Sequence, residues 1–128
     1  MTVQLNHTII PARDKKESAR FLSDVLGLAA PVPFGPFMAV QVDTLTLDFV
    51  DVGEDTEIES RHYAFLVSEA EFDEIFARIT ERQIPYWADP HASRPQEINH
   101  NDGGRGCYFP DPDGHWLEIL TRPYGSGS

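Results

Sequence analysis

Along the first half of the chain, the spacing of apolar positions changes period several times. From Val3 to Ile10 the run VQLNHTII alternates, which predicts a strand with Val3, Leu5, His7 and Ile9 on one face. Asp14 then stands where a helix N-cap belongs, with Glu17 three residues on. Phe21, Leu22, Val25 and Leu26 follow at helical spacing until Gly27 stops the helix. Ala29 to Pro36 holds three prolines and reads as a loop or a short irregular strand. Phe37 to Val42 and Leu45 to Val50 are predicted strands joined by a tight turn at Asp43-Thr44.

After a polar, acidic linker over residues 53–59, the order restarts. Arg61 to Val67 is a predicted strand, and Ser68 with Glu71 forms a capping box. Phe72, Ile75, Phe76 and Ile79 make the apolar stripe of an amphipathic helix. Ile84 to Ala88 reads as a short strand, and Asp89 to Gly104 as a polar loop of about 16 residues, long enough to suspect a lid. The stretch GGRGCYFPDPDGHWLEIL then predicts two strands around a DPDG turn, proline second and glycine fourth. Strand-helix-strands occurs twice, in a rhythm of about 55 to 60 residues, which implies an α+β domain. We take residues 1–124 as one domain of two modules, 1–52 and 60–124, and read 125–128 (GSGS) as a flexible tail left over from expression.

Composition narrows the function classes. A net charge of −11, with no basic run, argues against nucleic-acid binding. The same acidity suits a cationic ligand or simple solubility. No leader and no apolar stretch of membrane-spanning length is visible, so a cytoplasmic protein is expected. The single cysteine, Cys107, excludes an internal disulfide and reads as a small core residue.

Three polar residues interrupt apolar strands: His7, His62 and Glu118. Asp48, between Leu47 and Phe49, is the first module's counterpart of Glu118. A carboxylate in a half-buried strand is costly unless it is paired or metal-bound. Two imidazoles and a carboxylate brought together by rigid strands would hold a divalent metal and leave positions open for substrate. The alternative is two histidines satisfied by neighbours and a glutamate on the solvent face of an edge strand.

With LNHTIIPARDKKESARFLSDVLGL, RHYAFLV and YFPDPDGHWLEIL in place, nearly the whole chain resembles the vicinal oxygen chelate superfamily. That superfamily holds glyoxalase I, extradiol dioxygenases, thiol-transferring fosfomycin resistance enzymes and bleomycin-binding proteins. The resemblance implies two βαβββ modules whose curved mixed sheets enclose a cavity. It implies His7, His62 and Glu118 as ligands of one divalent metal per site (Fe, Mn, Ni, Zn or Co). Asp48 falls near a fourth-ligand position that is usually a longer glutamate, so here it is a substrate-binding candidate. A homodimer acting on a small oxygen-chelating substrate is also implied, without nucleic acid or membrane.

The remaining candidates come from position. His100, in the long loop, and Tyr108 are candidate proton-transfer groups. Arg105 is a candidate partner for a substrate oxygen. Trp87 and Trp116 are candidate walls for a flat ligand, Trp87 beside Tyr86, and His91 and His115 read as surface residues. The expected function is a metal-dependent enzyme, oxygenase-like before isomerase, lyase or thiol transferase. The alternative is a metal-free protein of the bleomycin-resistance type that sequesters a drug.

Overall fold

The computed structural model describes residues 2–127, so Met1 at the domain start and Ser128 at the end of the tail lie outside the described residues. The chain forms two compact units that divide between Glu59 and Ser60, at the end of the predicted linker.

In the first unit the elements are β1 (His7–Ala12), α1 (Lys15–Leu26), β2 (Val32–Phe34), β3 (Phe37–Val42) and β4 (Leu45–Asp51). They build a mixed sheet of order β1-β4-β3-β2, with β1 parallel to β4 and the other pairs antiparallel. Helix α1 starts at Asp14, whose carboxylate accepts from the backbone N–H groups of Lys16 and Glu17, and ends at Gly27 with φ 73°. It packs on β1, β3 and β4. The face beneath it is the core: Ile10, Ala12, Val40, Leu47 and Phe49 are buried with Leu22 and Val25.

The first strand is displaced from its predicted span. Pairing with β4 begins at His7 opposite Thr46, so Val3 and Leu5 have no partner strand and stay exposed. At its other end β1 runs on through Pro11, which an edge strand tolerates.

The second unit contains β5 (His62–Leu66), α2 (Glu69–Glu81), β6 (Gly106–Pro110) and β7 (Trp116–Leu120), in a sheet of order β5-β7-β6. Helix α2 has the complete capping box between Ser68 and Glu71 and buries Phe72, Ile75 and Ile79. One predicted strand is missing. Over residues 84–88 the only ladder contact is Trp87, which exchanges two backbone hydrogen bonds with Tyr108 (2.9 and 2.8 Å). Pro85 and Pro90 bracket it, and neither carries the N–H a longer ladder needs. The module is thus βαββ with a one-residue bridge standing in for the extra strand.

The long loop is fastened from inside. Asn99 is buried; its backbone pairs with Gly106 and its amide donates to the Ala88 carbonyl at 2.8 Å. A short 3-10 turn follows at Asn101–Gly103. The predicted flexible tail also has fixed partners: the Gly127 N–H donates to Asp102 Oδ1 at 3.1 Å and Arg122 donates to the Ser126 carbonyl at 3.1 Å. Gly104 lets the loop pass this segment, since a Cβ there would lie 2.5 Å from Thr121 Oγ1 and 2.8 Å from Arg122 Cγ. Because that hydroxyl also accepts from the Arg105 N–H, it cannot move freely. Gly104→Ala should therefore cost about 1–3 kcal/mol, read as a lowered midpoint in chemical denaturation.

Candidate functional site

The register of the second sheet decides which side chains meet. Ala64 and Tyr108 lie opposite Glu118 on its two neighbouring strands, and His62 lies opposite Trp116. All five therefore share one face, while Cys107, Phe109, Leu117 and Ile119 point to the buried opposite face. Glu118 sits on the central strand and is 1% exposed, so it is not a solvent-facing edge residue. The small Ala64 leaves room for His62 to reach diagonally past it.

Each atom of this group has an assignable role. His62 Nδ1 lies 2.9 Å from the Trp116 carbonyl, which can only accept, so Nδ1 carries the proton. Its Nε2 lies 3.0 Å from Glu118 Oε1. A lone pair on Nε2 would thus face a carboxylate oxygen unless a proton or a metal ion lies between them. Ligating histidines are oriented in this way, with the second ring nitrogen donating to a carbonyl. The donor set fits a divalent metal: one imidazole with a fixed tautomer and one buried carboxylate on a rigid strand.

On the other side, the Tyr124 hydroxyl donates to Glu118 Oε2 in a short hydrogen bond. Since that proton is engaged, Tyr108, whose hydroxyl is 2.9 Å from that of Tyr124, is the donor to Tyr124. The chain runs Tyr108 to Tyr124 to Glu118. Both phenols are held above their usual range: Tyr108 by burial, and Tyr124 by burial and by its bond to the Glu118 carboxylate. Aromatic rings wall the group. Tyr108 stacks with His62 (5.9 Å between centroids) and with Trp116 (6.1 Å), and Trp87 lies 5.3 Å from Trp116.

The first unit repeats this register. His7 lies opposite Thr46 and Ile9 opposite Asp48, as His62 and Ala64 lie opposite Trp116 and Glu118. The contacts differ. His7 Nδ1 is 2.7 Å from Asn6 Oδ1, and Asp48, 5% exposed, has an Oδ1 with no hydrogen-bond partner. Both residues line a cavity of about 490 Å³ on the sheet face opposite α1.

Other expectations are corrected. The Arg105 guanidinium is engaged within the unit: it ion-pairs with Glu69 (2.7 Å) and Asp73 (2.8 Å) and lies 4.4 Å from the centre of the Phe72 ring. These carboxylates hold its pKa above the usual value and tie the start of β6 to α2. His115 is fully buried rather than at the surface; its Nδ1 accepts from the Arg61 N–H at 3.1 Å. It belongs with Asp111 and Asp113 to a set whose ligand atoms lie within 4.8 Å of one another. There Asp111 Oδ1 already accepts from the Asp113 and His115 N–H groups, which wires the DPDG turn from within. His100 is exposed and enters the 3-10 turn through its carbonyl, which accepts from Gly103. Burial pushes the Cys107 thiol up to about 12, in keeping with a core role.

Sequence reasoning missed Tyr124. It lies outside every strand, in a Pro-Tyr-Gly turn, and no pattern marks its reach to Glu118.

The chain belongs to the Glyoxalase/Bleomycin resistance protein/Dioxygenase superfamily, whose model matches residues 4–119. Among solved structures it is similar to Oxidase ChaP-H1, at 63% identity and a TM-score of 0.93, covering 97% of this chain and 99% of that one. Oxidase ChaP-H2 is 62% identical with a TM-score of 0.95, and both chains are covered completely. A curated relative, Metallothiol transferase FosB of Lysinibacillus sphaericus, is 28% identical over 126 residues, 94% of this chain and 84% of its own.

The hydrogen bonds at Glu118 lead to a direct test in metal-free protein. In Glu118→Gln the amide can donate to His62 Nε2 while its oxygen still accepts from Tyr124, so stability should stay within about 1 kcal/mol of wild type. His62→Ala instead strands a buried carboxylate oxygen and should cost about 1–3 kcal/mol, both read by urea denaturation.

Proposed function

We propose that this protein is a divalent-metal-dependent enzyme of the superfamily, acting on a small substrate that chelates through oxygen. The observation that carries the proposal is the buried Glu118 carboxylate with His62 Nε2 3.0 Å from its Oε1, the imidazole being aimed there by its Nδ1 bond to the Trp116 carbonyl. His62 and Glu118 would hold the metal, with His7 as the third ligand. A bound metal would supply Lewis acidity toward the substrate's oxygens.

The protein's own groups would do the rest. The Trp116 carbonyl keeps Nε2 of His62 directed at Glu118. Tyr108 is the favoured group for moving a proton at the substrate, through its hydroxyl and the Tyr124 hydroxyl beyond it. His100, on the loop, is the other candidate. Trp87 and Trp116 would position a flat substrate and exclude water. Oxygenase-type chemistry is favoured over isomerase, lyase or thiol transfer, supported by the description of ChaP-H1 and ChaP-H2 as oxidases at 62–63% identity.

A homodimer in the cytoplasm completes the proposal. Exposed Val3, Leu5 and Leu66 support the first and the lone buried Cys107 the second. Among the described residues, no helix is long and apolar enough to cross a membrane.

Metal stoichiometry is the decisive measurement. Wild type stripped and reloaded with Fe(II), Mn(II), Ni(II) or Zn(II) should retain about one ion per chain after dialysis, and His62→Ala and Glu118→Gln should each lose at least about tenfold in affinity. An unchanged affinity in His7→Ala would remove His7 from the ligand set. Failure of the wild type to bind any of the four would leave the drug-sequestering reading in its place.

A further inference from the structure

Tyr124 gains little from packing. It is 60% exposed, so burial of its ring contributes little to holding it in place. A turn of hydrogen bonds does that instead. The Pro123 carbonyl accepts from the Ser126 N–H (3.1 Å) and hydroxyl (2.6 Å), and Arg122 donates to the Ser126 carbonyl (3.1 Å). Beyond it the Gly127 N–H is moored to Asp102 Oδ1 at 3.1 Å. This turn delivers the Tyr124 hydroxyl to Glu118 Oε2, while His62 Nε2 faces the other oxygen. A tyrosine placed with so little burial is explained by its hydroxyl rather than by its ring.

We propose that Tyr124 is a positioning residue that keeps Glu118 a one-oxygen ligand and so reserves two open positions for a substrate that chelates through two oxygens. The proposal rests on the metal reading above and adds to it the group that sets how many positions stay open. Oε2 is held by a phenol that is itself held by Tyr108, which leaves Oε1 as the oxygen facing His62. A carboxylate restrained in this way contributes one oxygen. Together with two imidazoles it fills three positions, the count that leaves room for a substrate. A carboxylate free to ligate through both oxygens would take a fourth position and compete with the second substrate oxygen.

The test compares wild type with Tyr124→Phe, each loaded with Co(II), and titrates two probes: 4-nitrocatechol, which needs two positions, and azide, which needs one. Tyr124→Phe should bind Co(II) as tightly as wild type or more tightly, because a second carboxylate oxygen is freed to ligate. It should bind 4-nitrocatechol about tenfold more weakly, with azide within about threefold of wild type. The visible Co(II) bands before any probe is added should differ between the two proteins, which a role in stability alone would not produce. An unchanged nitrocatechol affinity overturns the proposal, whether Tyr108 takes over as donor or Oε2 needs none. A parallel loss of nitrocatechol and azide overturns it too. So does a loss of Co(II) affinity, since a phenol that merely steadied a ligand would weaken the metal instead. Should the variant not fold, the infrared carboxylate stretches of wild type with and without Co(II) decide. The wide splitting of one-oxygen ligation supports the proposal, and the narrow splitting of two-oxygen ligation overturns it. A wild type that takes up no Co(II) overturns the metal reading and this proposal with it, whereas every other failure leaves the metal reading standing.

Discussion

A carboxylate on the central strand of a three-stranded sheet, 1% exposed, must be compensated by its surroundings. Much of the second unit is arranged around that requirement at Glu118. Strand β5 lies parallel to β7 in the register that puts His62 within 3.0 Å of one oxygen. The end of the chain turns back so that Tyr124 donates to the other. Tyr108, opposite Glu118 on β6, steadies Tyr124 in turn. Three separate segments thus converge on one side chain. A core leucine would have spared the fold this cost, so the arrangement is better explained by chemistry than by packing.

Register is how that chemistry is set. The His115 N–H and the Asp113 N–H both reach Asp111 Oδ1, and the His115 ring accepts from Arg61, so the DPDG turn is locked to the segment that leads into β5. The turn therefore fixes β7 against both neighbours at once. A slip of one residue would send Glu118 into the apolar layer with Phe109 and Leu117 and bring Ile119 into the polar group. Arg105, at the other end of β6, performs a similar service through Glu69 and Asp73.

These are also the residues whose roles were hardest to read in the chain itself. Strand and helix positions follow local rules, so the capping box at Ser68, the stop at Gly27 and the spans of β3 and β4 were legible. His62 and Glu118 stood out because they interrupt apolar strands, and the fold brings them within 3.0 Å of each other. Arg105 and His115 were not, because a charged or polar residue beside a turn looks alike whether it meets solvent or a partner 36 or 54 positions away. Tyr124 lies in no periodic element, so nothing local constrains it. The strand expected at Trp87 failed for the opposite reason: its apolar content was right, and its prolines limited it to isolated bridges at one residue, Trp87 with Tyr108 and with Pro95.

The two units carry one register with two outcomes, and the difference lies in the residue opposite the carboxylate. In the second unit it is Ala64, and His62 can reach across to Glu118. In the first it is the bulkier, branched Ile9, and His7 bonds to Asn6 instead. Asp48, a methylene shorter than Glu118, is left without a partner for Oδ1. The first unit has neither the small residue nor the longer acid, so its buried Asp48 carries a desolvation cost that Glu118 offsets through its bond from Tyr124.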